Sequence, residues 1–332
     1  EKGELLLTDQ IDHILKERHP YHSWLKKYSV KVPNFDSEKE SPLDFTSKQL
    51  QIYKKLFSIT FEEEADIIAP LAEIAQEATG SMGDDTPMPV LSSKNRSIYD
   101  YFRQQFAQVT NPPIDSLREA SVMSLEVCIG KERNLFEESS KHADRLILSS
   151  PVLDRQTYEA ILSSKYKKYP HDTINLNYDN SIDLEEALNT ICDRVTRSVK
   201  KGNITIVLSD KKINKNQLTI PAPMAVGAIH HKLINIGLRC DTNLIIETGS
   251  ARNPHHFAVL LGYGATAIYP YLAFEILNEM VAKKKLTIQK YSESVKNYTN
   301  GINKGILKIM SKMGISCVSS YRGAQLFEIV GL

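Results

Sequence analysis

Residues 243–272 read NLIIETGSARNPHHFAVLLGYGATAIYPYL, and the fold is decided there. Residues 243–247 form a short apolar run that predicts a buried strand, residues 254–261 a helix, and residues 265–268 a second strand. The same alternation begins earlier, with a strand over 204–208 and a helix over 222–236. Strand–helix–strand units of this kind imply a parallel sheet with helices packed over it and right-handed connections. The expected class is therefore α/β, a mostly parallel sheet with surrounding helices.

Working outward, the N-terminal portion reads as helical. Thr8 is placed to cap a helix reaching about Lys16, and Ser47 another through Lys54 and Leu56. Thr60 with Glu63 forms a capping box, followed at helical spacing by Ile67, Ile68, Leu71, Ile74 and Ala75. Residues 115–127 read as a further helix ended by Gly130. The stretch from Arg145, RLILSSPVL, predicts a short buried strand running into a loop, and residues 154–163 a helix. Residues 183–200 form an amphipathic helix with Leu184, Ala187, Leu188, Ile191 and Val195 on one side. The last third turns helical, with Ile302, Ile306, Ile309, Met310 and Met313 on an apolar face. There is no internal repeat and no low-complexity segment.

Composition narrows the function. The 332 residues carry a net charge of +1, which supplies no basic field for nucleic acid and no acidic one for cations. No apolar stretch has membrane-spanning length, and no charged-then-apolar leader opens the chain. The chain starts at Glu1 without methionine and ends on Gly331-Leu332, which reads as a piece of something longer. Cys128, Cys192, Cys240 and Cys317 lie far apart without paired spacing, as in a reducing compartment, and argue against zinc or iron–sulfur ligation within the chain.

Residues 80–118, GSMGDDTPMPVLSSKNRSIYDYFRQQFAQVTNPPIDSLR, set loop-forming residues around one aromatic-rich stretch expected to be helical. Gly80 and Gly83 permit backbone angles that side chains forbid, with positive φ expected at Gly83, while Pro87 and Pro89 fix others. Asn111-Pro112-Pro113 makes a second stiff stop. MGDDTPMPVLS followed by YDYFRQQFAQVTNPPID resembles the central domain of the large (alpha-type or ferredoxin-dependent) chain of glutamate synthase. Arg18-His19-Pro20-Tyr21 with Trp24-Leu25 resembles the opening of that domain. Glu247-Thr248-Gly249 with His255-His256-Phe257, Gly262-Tyr263-Gly264-Ala265, and Asn303-Lys304-Gly305 through Gly314 resemble its second half. Tyr321-Arg322-Gly323-Ala324-Gln325 with Phe327-Glu328 resembles its end.

The resemblance implies a domain lying between two active sites. Glutamate synthases release ammonia from glutamine at an N-terminal cysteine and pass it internally to a flavin and iron–sulfur barrel, where 2-oxoglutarate becomes glutamate. It implies residues 1–45 as a linker-like segment after a glutaminase domain and residues 46–332 as the central α/β domain, the whole chain forming one domain. Its partners would be the N-terminal glutaminase domain and the C-terminal FMN-binding domain of the same polypeptide, with FMN and an iron–sulfur cluster in the synthase part and none in this chain. No nucleic acid or membrane partner is expected, and the compartment would be cytoplasm or plastid stroma. Gly80, Gly83, Asp84, Asp85, Thr86 and Pro87 are the candidate tunnel or interdomain residues. Two alternatives stand beside this reading: a free-standing flavin-binding, barrel-like oxidoreductase, and a pure assembly domain.

The flavin alternative rests on residues 243–272, whose order is similar to the last two strands of a flavin-binding barrel, where loops and a helix N-terminus hold the phosphate. The barrel implied is incomplete or degenerate. Thr248-Gly249-Ser250 keeps one glycine, but Tyr269-Pro270-Tyr271 is bulky and lacks an amide donor where phosphate would want it. The paired histidines, His255-His256 and His230-His231, point about 100° apart on a helix and cannot chelate as an i, i+4 pair would. Asp84-Asp85 reads as amide-capping in a turn, with no third oxygen ligand in sequence reach for a cation. Lys283-Lys284-Lys285 reads as a solvated helix end, and Arg118 with Glu119 as a surface pair. No serine, cysteine or threonine sits in a recognisable nucleophile motif, and there is no GxGxxG or phosphate-cradling glycine–lysine loop.

Overall fold

Four parallel strands carry the molecule: His171–Asn175, Thr205–Ser209, Asn243–Glu247 and Ala267–Tyr269, adjacent in that order. A computed structural model describes them together with the rest of residues 3, 5–33, 44–78, 91, 93, 96–105, 114–115 and 118–331. Asn243–Glu247 and Ala267–Tyr269 each begin after a threonine, and these two strands and Thr205–Ser209 are apolar within. Residues 205–209 and 243–247 are buried throughout, as strands covered on both faces must be. Val152 adds a parallel bridge to Ile268, extending the sheet by one position beyond Ala267–Tyr269. The described strands form an open α/β sheet and do not close into a barrel.

Helices connect and cover the strands. Asp183 caps Leu184–Lys200 through its carboxylate, which accepts from the Glu185 amide at 2.9 Å. Ala222–Asn235, Pro254–Gly262 and Tyr271–Ala282 follow the next three strands. The last two are largely buried, because they lie inside the molecule rather than on it. The long helix Tyr291–Lys312 buries Ile302, Ile306 and Met310, and its Gly301 and Gly305 allow two other helices to approach closely. Gly264 has φ +112°, and a side chain there would meet His230 Nδ1 at 2.3 Å.

Smaller sheets tie the periphery to this body. Val30–Lys31 runs parallel to Leu146–Leu148, which pairs antiparallel with Val127–Ile129. Asn177–Asp179 and Gln217–Thr219 form an antiparallel pair inserted between strand and helix.

Three expectations are corrected. Residues 115–127 do not make one helix: among the described residues there only Glu119–Val122 is helical, and Val127–Ile129 is drawn into the sheet beside Leu146–Leu148. Among the described residues of the aromatic stretch only one 3-10 turn, Ile98–Tyr101, is helical; Phe102–Gln104 pairs antiparallel with Phe327–Ile329, more than two hundred positions away in sequence. The segment after Thr60 does keep its cap, with the Glu63 amide donating to Thr60 Oγ1 at 3.1 Å, but Glu63–Ile68 is a π-helical turn. That widened turn buries Ile68 and Leu71 while leaving Ile74 exposed.

Candidate functional site

Ligands of parallel α/β sheets bind at the carboxyl ends of the strands, so the chemistry at those ends decides what the domain can do. Thr205–Ser209 ends on Ser209 and Asp210, Asn243–Glu247 on Glu247, Thr248, Gly249 and Ser250, and Ala267–Tyr269 on Tyr269 and Pro270. These groups satisfy one another. Ser209 Oγ donates to Glu247 Oε2 at 2.6 Å. Asp210 is fully enclosed and accepts three hydrogen bonds, from Thr248 Oγ1 at 2.5 Å, the Gly249 amide at 3.0 Å and Tyr271 Oη at 2.9 Å. Burial pushes its carboxyl up to about 7, against the three donors that favour the anion, and the neighbouring Glu247 carboxylate adds to the rise.

The amides of the 248–250 turn are all turned inward. The Thr248 N–H donates to Tyr269 O at 3.1 Å, Gly249 N–H to Asp210, and Ser250 N–H to Thr248 Oγ1 at 3.0 Å. Above them, the Phe57 ring lies on Gly249 so closely that a Cβ there would come within 2.7 Å of it. Beside it Phe45 and Tyr53 each meet Tyr271 edge to face, with centroids 6.0 and 6.3 Å apart, and tilt against each other at 4.4 Å. Tyr99 reaches in from the other side, its hydroxyl 3.0 Å from Ser250 Oγ and its ring tilted over His256 at 4.3 Å.

Charged groups around this plug are also paired. Lys211 bonds Asp44 and lies 3.7 Å from Glu247 Oε1. Burial alone would raise Asp44, yet the Lys211 ammonium and the Arg155 guanidinium beside it hold its carboxyl below the usual range. Arg252, almost fully buried, donates from Nε to Glu63 Oε1 at 2.5 Å. A polar cavity of about 540 Å³ is lined by Glu63, Arg96, Asp100, Arg252, Asn253 and His256.

The paired histidines hold structure. His255 Nε2 lies 3.0 Å from Tyr99 O, and His256 Nδ1 accepts from the Arg252 amide at 3.2 Å. Burial, helped by Arg252, holds His256 well below the usual imidazole range, so it is neutral. His230 Nδ1 accepts from Arg239 Nε at 2.9 Å. Among the described residues no group of three His, Cys, Asp or Glu could hold a metal ion, and no helix is long and apolar enough to cross a membrane. Lys283 and Lys285 pair with Glu279 and Glu64. Arg118 does not pair with Glu119: its Nε donates to Asp115 at 2.8 Å, and Glu119 accepts from Ser311 instead.

The six candidates Gly80, Gly83, Asp84, Asp85, Thr86 and Pro87 lie outside the described residues. The residues that follow them, Arg96, Ser97 and Tyr99, border the polar cavity or the plug. Asp210, Phe57, Tyr53 and Lys211 carried no local signal in sequence, because each acquires its meaning from partners far along the chain.

An open parallel sheet whose strand ends are closed by their own side chains defines an α/β domain. The chain belongs to the glutamate synthase central domain family, which it matches over residues 52–332. It is 38% identical, over its whole length, to 21% of the NADPH glutamate synthase large chain of Bacillus subtilis. Over 99% of its length it is 38% identical to the NADH glutamate synthase of Saccharomyces cerevisiae and 39% identical to the chloroplastic ferredoxin-dependent glutamate synthase of rice. It covers 16% and 21% of those two chains, so it corresponds to about a fifth of its relatives. The flavin-binding domain of baker's yeast flavocytochrome b2 overlaps 86% of this chain and 94% of its own at 10% identity, with a TM-score of 0.37, too loose a superposition to argue from.

Proposed function

We propose that this domain is the non-catalytic connector of a glutamate synthase, holding the glutaminase and the flavin/iron–sulfur synthase parts in place and walling part of the ammonia path between them. The parent enzyme makes glutamate from glutamine and 2-oxoglutarate. The observation that carries the reading is the closure of the strand ends. A flavin phosphate needs free backbone donors, and the Thr248, Gly249 and Ser250 amides are spent on Tyr269, Asp210 and Thr248. With Phe57 seated on Gly249, these residues do not fit FMN, and the flavin and cluster belong to the neighbouring synthase part.

Ammonia escaping to water would be protonated and lose its nucleophilicity, so the wall of its path must be dry and rigid more than reactive. Gly80, Gly83, Asp84, Asp85, Thr86 and Pro87 are the proposed wall or interdomain contact, by virtue of their glycine and proline content and of the cavity that borders the residues after them.

The test uses the full-length enzyme. Asp84→Asn, Asp85→Asn and Thr86→Val are compared with the parent for glutamine hydrolysed per glutamate formed. A leaking wall lets hydrolysis outrun synthesis; a segment that only braces its neighbour lowers both rates together. An unchanged ratio in all three variants rejects the wall role.

A further inference from the structure

On the far side of the Ala267–Tyr269 strand, the Val152 bridge ends in a cleft unrelated to the aromatic plug. It measures about 420 Å³, within the range of small-ligand sites. Its polar lining comes from Ser150, Asp154 and Thr157 on one side and Lys296, Thr299 and Asn303 of the Tyr291–Lys312 helix on the other. It thus occupies the carboxyl end of a parallel strand position, where α/β folds present ligand groups.

Three features of this lining are incomplete without a ligand. Asp154 caps the Arg155–Leu162 helix with Oδ1, which accepts from the Thr157 amide at 2.6 Å, leaving Oδ2 to face a donor. Lys296, at the rim, forms no ion pair among the described residues, so the two opposite charges line one cleft without neutralising each other. Thr299 Oγ1 is buried with no hydrogen-bond partner, a cost that a native structure normally relieves with a ligand or ordered water. Asn303 is already oriented, its Oδ1 accepting from Ser150 Oγ at 2.7 Å, which leaves its NH₂ as a further donor.

We infer that this cleft binds a free α-amino acid as its zwitterion. The ligand ammonium is held by Asp154 Oδ2, and its carboxylate by the Lys296 ammonium with Asn303 Nδ2 and Thr299 Oγ1 as donors. The opposed charges reject a bare anion or a bare amine, either of which leaves one wall charge unmet. This inference does not depend on the ammonia-path reading, since it concerns binding by this chain alone.

The experiment is calorimetric titration of the chain with L-alanine and L-glutamine, then with N-acetyl-L-glutamine and L-glutamine methyl ester, which each lack one charge. The free amino acids bind saturably, and each blocked derivative is weaker by about tenfold or more, the loss of one charge-assisted hydrogen bond. Lys296→Met, a change at an exposed position, abolishes discrimination against the ester and keeps that against the acetyl form. Asp154→Asn, which preserves helix capping, does the reverse. No saturable binding below about 10 mM, or parental discrimination in both variants, overturns the proposal.

Discussion

Asp210 shows how a single residue can set a property of the fold. Its carboxyl is pushed to about 7 by burial, against about 4 for a free aspartate. Between those values the folded state holds a proton that the unfolded state has released, so stability falls as pH rises from about 4 to about 7 and is level above. Asp210→Asn is neutral in both states. Its Oδ1 still accepts from Gly249 and Tyr271, and its NH₂ donates to Thr248 Oγ1, whose own proton turns to Ser250 Oγ, 2.8 Å away. Melting temperatures measured from pH 4 to 8 are expected to show the variant gaining on the parent as pH rises through that window. Parallel curves would mean Asp210 is not the titrating group. None of this was legible in the sequence, where Asp210 sits in an ordinary turn after a strand; Thr248 and Tyr271 are 38 and 61 positions away. Gly249 was legible as the one glycine kept in the turn after a strand, but the Phe57 ring that lies on it was not.

At the scale of elements, periodicity succeeded where packing agreed with it and failed where a distant partner overrode it. The strand over Asn243–Glu247 and the helix Leu184–Lys200 follow their apolar patterns. Phe102–Gln104 was drawn the other way, because its backbone finds Phe327–Ile329. The Tyr291–Lys312 helix adds a feature that periodicity misses. Gly301 and Gly305, four apart and so on one face, receive two different helices: a Cβ on Gly301 would meet Leu71 Cδ2 at 2.7 Å, and one on Gly305 would meet Pro254 Cγ at 2.4 Å and Cβ at 2.5 Å. The Pro254 ring cannot rotate away, so the helices must separate. Gly305→Ala gains about 1 kcal/mol of helix propensity but is set against an overpacking cost of roughly 1–3 kcal/mol. At contacts this short the upper end applies, and the midpoint of urea unfolding should fall. A midpoint equal to or above the parental one would show that the close approach contributes nothing.

Over the whole molecule, the arrangement is that of a sheet built like a binding domain and sealed like a core. The strand ends converge as they do where α/β proteins hold phosphates, yet the polar groups of Ser209, Asp210, Thr248, Gly249 and Ser250 are answered from within, and an aromatic stack fills the space above. Two separate obstacles to flavin follow: the Phe57 ring covering Gly249, and the inward-turned amides of residues 248–250. They can be told apart. Titrated with FMN while flavin fluorescence is followed, the parent chain should show no saturable binding at micromolar concentration. Phe57→Ala removes the covering ring but leaves the three internal hydrogen bonds and Pro270, which has no amide proton to offer, so it too should fail to bind. Binding by the variant alone would assign the exclusion to the ring, and the amides would then be free to turn outward. Saturable binding by the parent would overturn the reading of this domain as a connector without its own cofactor.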